Sequence, residues 1–169
     1  MHKLGSLAIA IALVACVSTP GPETEVGESV YTASVQTIAY QNLGGGWWWP
    51  PAACGSALAT YTLTLADHQL AWEVCEGSGD PATYALRVGA RALDDAEWQG
   101  LQPTLAALVV DGGHNCAYDS ETRALRVTAD DIEVEYGDGV LACAAQGRPV
   151  IVGRALGGLE GAFNALSLK

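Results

Sequence analysis

The sequence predicts an α+β fold, an antiparallel sheet with two helices, and three observations carry that expectation. Short runs alternate apolar and polar residues at period two, two longer runs repeat at helical spacing, and Gly, Asp and Pro mark the boundaries between them. Half of the 169 residues are hydrophobic and 16% are charged, which supplies one ordinary core for a single domain over residues 30–169.

Residues 30–41 are β-prone but alternate loosely, which reads as an edge strand or an extended lead-in. Ala59, Tyr61, Leu63 and Leu65 alternate with Thr60, Thr62 and Thr64 as a half-buried strand. Leu70, Trp72 and Val74 repeat the pattern beyond a turn at Asp67-His68-Gln69. In the third strand Tyr84, Leu86, Val88 and Ala90 are expected inside, with Arg87 and Arg91 outside. Asp94 is placed as a helix N-cap with Glu97 completing a capping box, and Trp98, Leu101, Leu105 and Leu108 form the stripe that follows. Pro103 is expected to kink or divide that helix.

Beyond a polar loop at residues 111–115, Leu125 and Val127 mark one strand and Ile132, Val134 and Tyr136 the next. Asp138-Gly139 signals a hairpin turn, with residues 140–144 as the return strand. Asp130, Asp131, Glu133, Glu135 and Asp138 read as the solvent side of this hairpin. Val152, Leu156, Leu159, Phe163 and Leu166 form the buried stripe of a closing helix, despite three glycines.

An ungapped offset of 62 residues superposes Cys54 on Cys116, Leu63 on Leu125 and Trp72 on Val134. This points to a tandem repeat of a strand-strand-strand-helix unit, residues 54–110 and 116–168. Cys54, Cys75, Cys116 and Cys143 allow three disulfide pairings. One crosslink per repeat selects Cys54–Cys75 and Cys116–Cys143, although the second cysteines do not superpose at that offset. No two cysteines have C-x-x-C spacing and His68 and His114 lie far apart, so paired thiols are expected rather than zinc ligands.

The fifth cysteine has a different setting. Lys3 precedes an apolar run over residues 4–15, too short to span a bilayer, which takes about 20 residues. The run therefore reads as the hydrophobic region of an export signal, and it ends at Leu13-Val14-Ala15-Cys16. That motif resembles the lipobox of bacterial lipoproteins. The resemblance implies a signal peptide over residues 1–15, cleavage before Cys16, a diacylglycerol thioether on Cys16 and acylation of its amine. It implies attachment to the membrane through the N-terminal lipid, with the domain in the cell envelope, periplasmic or extracellular. In a host with two membranes, Val17 rather than Asp after the cysteine implies the outer one. Residues 16–29 hold Pro, Gly, Ser, Thr and Glu with little to bury, the composition of a flexible tether. Fully extended, the thirteen residues 17–29 after the cysteine would reach ~40 Å.

With eight basic against nineteen acidic residues and a net charge of −11, nucleic acid and anionic headgroups are poor partners. There is no phosphate-cradling loop, nucleophile elbow, H-E-x-x-H or cofactor signature, so neither catalytic residues nor a cofactor or metal are expected. Trp47, Trp48 and Trp49, between Gly44-Gly45-Gly46 and Pro50-Pro51, are the candidate binding residues. They form either an aromatic platform for a sugar ring, a peptide or the membrane surface, or a plug folded against the end of the sheet. The chain therefore reads as a non-catalytic envelope lipoprotein that binds or assembles with a protein or carbohydrate ligand. Two alternatives stand beside it: a protein inhibitor presenting residues 77–81, and a hydrolase or metal-dependent enzyme centred on His114 with Asp111 or Asp119, near Asn115.

Overall fold

A computed structural model describes residues 26–44, 51–77, 83–111, 122–138, 149–151 and 153–169. Its strands are β1 (Val35–Asn42), β2 (Ala59–Thr64), β3 (Gln69–Glu76), β4 (Ala85–Ala92), β5 (Val110–Asp111), β6 (Arg123–Ala129), β7 (Ile132–Gly137) and β8 (Val150–Ile151). The helices are α1 (Asp95–Ala106) and α2 (Gly153–Ser167), and a single 3-10 turn covers Ala52–Cys54. The strands form one sheet in the order β4-β3-β2-β1-β6-β7-β8-β5. Every pair is antiparallel except β7 with β8. The expected α+β class with two described helices therefore holds, in a mixed and mostly antiparallel sheet.

Residues 30–41 do not make an edge. β1 lies between β2 and β6, and with β6 it forms the central pair of the sheet. Its alternation is loose because the β1–β6 register shifts between Val35 and Thr37, so Val35 and Ile38 are both buried although three residues apart. Beyond the shift, Ile38 and Tyr40 are wholly buried and pair with Leu63 and Tyr61 of β2 and with Val127 and Leu125 of β6. These side chains form the floor of the core. Leu101 and Leu105 of α1 and Leu156, Leu159, Phe163 and Leu166 of α2 complete it. Each buried Leu or Phe contributes roughly 1.5–3 kcal/mol relative to exposure. Residues of opposite parity, such as Thr62, Glu73 and Arg126, are half-buried or exposed on the other face.

The phase of β4 is inverted relative to the sequence expectation. Arg87 and Arg91 pair across from Val74 and Leu70, on the helix-covered face, while Leu86 and Val88 are 41% and 63% exposed. The strand lies at the end of the sheet, where the last turn of α2 comes down on it. That turn presents unsatisfied carbonyls, which call for donors rather than aliphatic groups. Arg87 donates to Ser167 O at 3.0 Å and Ser167 Oγ at 3.1 Å, and Arg91 donates to Leu166 O at 3.0 Å. Between the arginines, Gly89 has no room for a side chain, because a Cβ there would run into the Trp72 indole lying over it.

Asp94 caps α1 as expected: its carboxylate accepts from Glu97 N at 2.9 Å, and Glu97 reaches back to Asp94 N. Pro103 neither divides nor ends α1, which runs unbroken to Ala106. The carbonyl that loses its partner there is that of Gln99, an exposed residue that water can serve. Ile132, expected among the inward residues of β7, is 51% exposed, whereas Tyr136 is buried.

The repeat is looser than the sequence suggests. The hairpins β2–β3 and β6–β7 both flank β1, but Leu63 pairs with Leu70 and Val127 with Val134, so they correspond at an offset of 64 residues rather than 62. The third strand of the first unit, β4, is antiparallel to β3, while the return strand expected at 140–144 lies outside the described residues. Cys54 and Cys75 form the expected disulfide, closing a separation of 21 residues with Cα atoms 5.3 Å apart. Such a loop restricts the unfolded chain by about 3 kcal/mol. Cys116, Cys143, Gly139, Val152 and residues 140–144 lie outside the described residues.

Candidate functional site

Helix α2 carries two stripes. Leu156, Leu159, Phe163 and Leu166 recur at three- and four-residue spacing and are buried, as amphipathic periodicity requires. One position further on, Gly157, Glu160, Gly161 and Asn164 recur at the same spacing along the flank that faces β2 and β3. Two of these four have no side chain. The result is a groove of about 400 Å³ between α2 and the β2–β3 hairpin, with Tyr61 and Val74 among its lining residues and Cys75 of the disulfide beside them.

The glycines are not there for packing. A Cβ built on Gly157, Gly158 or Gly161 would meet nothing within 4 Å. Glycine within a helix costs roughly 0.5–1 kcal/mol relative to alanine, so this segment gives up stability that its surroundings do not demand. Local rules broken without a packing reason concentrate at functional sites.

Glu160 is the charged group of the groove, and the sheet holds it in place. Tyr40 Oη donates to Glu160 Oε2 at 2.7 Å, Asn42 Nδ2 donates to Oε1 at 2.8 Å, and Arg123 Nε approaches Oε2 at 3.4 Å. Asn42 is buried and its own oxygen accepts from Gly44 N at 2.9 Å, which fixes the amide's orientation. The backbone N–H of Arg123 donates to Asp138 Oδ2 at 2.8 Å. Burial, then the charge of Glu160, pushes the Tyr40 phenol far above its ordinary range. Burial and the same carboxylate raise Tyr61, whose hydroxyl points to Asn164 Oδ1 at 3.4 Å. Both phenols therefore stay protonated at neutral pH and act as donors, not as nucleophiles.

A second groove, of about 420 Å³, lies between α1 and α2 beside Asp94, Glu97 and Lys169. Its polar groups are already used. Glu97 takes two bonds from Arg91, at 2.7 and 2.9 Å, and one from Lys169 at 3.1 Å while closing the capping box. Those bonds hold its carboxyl at about 2, Arg91 being the largest cause and Lys169 the next.

No protein-family model, curated protein or solved structure matches this chain. The site therefore stands on its own geometry.

Of the residues expected to carry function, Cys16, Trp47, Trp48, Trp49, His114, Asn115 and Asp119 lie outside the described residues, as does most of the 77–81 loop. Asp111 ends β5 and is exposed. Among the described residues no group of three His, Cys, Asp or Glu side chains is placed to hold a metal ion, and no helix is long and apolar enough to cross a membrane. Glu160, Asn164 and Tyr61 were not singled out in the sequence. The available signal was the three glycines inside an otherwise amphipathic helix.

Proposed function

We propose that this chain is a lipid-anchored bacterial envelope lipoprotein whose folded domain is a non-catalytic binding or assembly module for a protein or carbohydrate ligand. The Cys54–Cys75 disulfide carries the reading, because persistent disulfides belong to oxidising compartments outside the cytosol. It agrees with the lipobox resemblance at Cys16 and with the even number of cysteines left once Cys16 is acylated. One acyl chain anchors only marginally, whereas several make release slow.

The module part rests on the α2 groove. Its carboxylate already accepts from three donors and its phenols are held neutral, an arrangement suited to fixed recognition rather than proton transfer near pH 7. Intact mass spectrometry of the chain from bacterial membranes tests the anchor. The expected species begins at Cys16, carries diacylglycerol and an amide-linked acyl chain, and retains the Cys54–Cys75 bond. A chain with its leader intact and both thiols reduced would contradict the proposal.

A further inference from the structure

We infer that the groove between α2 and the β2–β3 hairpin receives a lysine side chain from a partner polypeptide. The inference deepens the binding-module reading and rests on it, but not on the lipid. Three observations point to this ligand chemistry.

The first is acceptor capacity. An ionised carboxylate offers about four acceptor positions. Tyr40, Asn42 and Arg123 take three of those on Glu160, which leaves room for one more donor and none for a competing acceptor. Asn164, one helical turn further along the same flank, adds an amide oxygen that, among the described residues, accepts only the long bond from Tyr61.

The second is charge. Among the residues that line the groove Glu160 is acidic and none is basic, and the nearby Arg87 is paired with Glu76. With the whole chain at −11, an anionic ligand is repelled and a cation is drawn in.

The third is shape. Leu58, Ala59, Val74 and the disulfide give the groove an apolar side, while Gly157 and Gly161 keep the helix side clear. A lysine has four methylenes to lay along such a surface and a compact ammonium to place at its polar end. An amino sugar carries the same ammonium, but its ring hydroxyls need several more polar partners than this groove offers.

The test titrates the full chain, solubilised in non-ionic detergent, with Nα-acetyl-lysine-N-methylamide while following backbone amide resonances. Two comparators are the norleucine analogue, which has the stem without the charge, and glucosamine. The lysine amide is expected to shift the amides of Gly157, Gly161 and Asn164 saturably, the norleucine analogue at least tenfold more weakly, and glucosamine not at all. Gly161→Leu fills the notch at a position where an added side chain meets open space, and it should weaken binding at least tenfold without lowering the melting temperature. Glu160→Gln should weaken it to a similar degree. If Gly161→Leu proves unfolded, Gly157→Leu serves the same purpose. Equal binding of the norleucine analogue, preferential binding of glucosamine, no binding of the lysine amide, or unchanged binding in the folded leucine variant would each overturn the assignment. The two proposals fail separately, since an acylated chain that ignores lysine removes only this one and a lysine-binding chain with an unmodified Cys16 removes only the anchor.

Discussion

Helix α2 is fastened to the sheet at two places, and the two fastenings use opposite chemistry. Midway along, the helix supplies an acceptor, Glu160, and the sheet supplies the donors Tyr40, Asn42 and Arg123. At its end the helix supplies bare carbonyls, and the edge strand supplies Arg87 and Arg91. In the first clamp the donors Tyr40 and Asn42 are buried, Tyr40 wholly and Asn42 to 5% exposure, although the Glu160 and Arg123 side chains are 23% and 21% exposed. The second is partly wet, with the Arg87 and Arg91 side chains about a quarter exposed. The difference teaches which interactions are costly to lose. A buried polar group left without its partner forfeits its full desolvation free energy, whereas an exposed one turns to water. Between the clamps the helix is held against the sheet, and the glycine notch remains a groove.

Glu160→Ala is the largest expected perturbation, because it orphans both the Tyr40 hydroxyl and the Asn42 amide. Urea denaturation should show a loss of roughly 3 kcal/mol. Recovery by the double variant Tyr40→Phe with Glu160→Ala would assign most of that loss to the orphaned phenol rather than to a cavity. Arg91→Ala should cost less, about 1 kcal/mol, because its bonds to Leu166 O and Glu97 are partly solvated. If both variants cost the same, burial does not separate the clamps.

Acid and alkali should part them as well. Tyr40 is raised above its ordinary 10.0 in the fold, so its contribution is complete below pH 10 and declines as pH rises, when the unfolded chain releases the proton first. Glu97 is lowered to about 2 from 4.5, so its contribution is complete above pH 4.5 and is lost as pH falls through 2. Stability profiles should accordingly lose part of their acid limb in Arg91→Ala and part of their alkaline limb in Tyr40→Phe. A profile unchanged in both variants would count against the two clamps as described.

The smallest effect has the opposite sign. Gly161→Ala places a methyl group where nothing lies within 4 Å and should raise stability by about 0.5–1 kcal/mol in thermal unfolding. A loss would mean that the notch is packed in solution.

Strands β1 to β4, β6 and β7, the α1 cap and the buried stripe of α2 were legible in the sequence because each depends on local periodicity or on residues three apart, as with Asp94 and Glu97. The two-residue strands β5 and β8 carry no period to read. What escaped depends on which element sits opposite. Alternation along β4 sets a phase but not which phase faces the helices, and Arg87 and Arg91 turned inward because a helix end, not an apolar layer, meets them there. The central place of β1 was hidden by the register shift after Val35. The candidate site was the least legible part: Tyr40, Asn42, Arg123 and Glu160 come together across as many as 120 residues, and no spacing rule links them. Of the two expected disulfides Cys54–Cys75 was recovered, yet the repeat that selected it aligns its hairpins two residues out of step.

Amide hydrogen exchange along α2 tests the two-clamp account most directly, comparing the parent chain with Glu160→Ala. The account predicts faster exchange over residues 157–162, while residues 163–167 keep their protection because Arg87 and Arg91 still hold the final turn. Uniform loss of protection along the whole helix, or none at all, would contradict it.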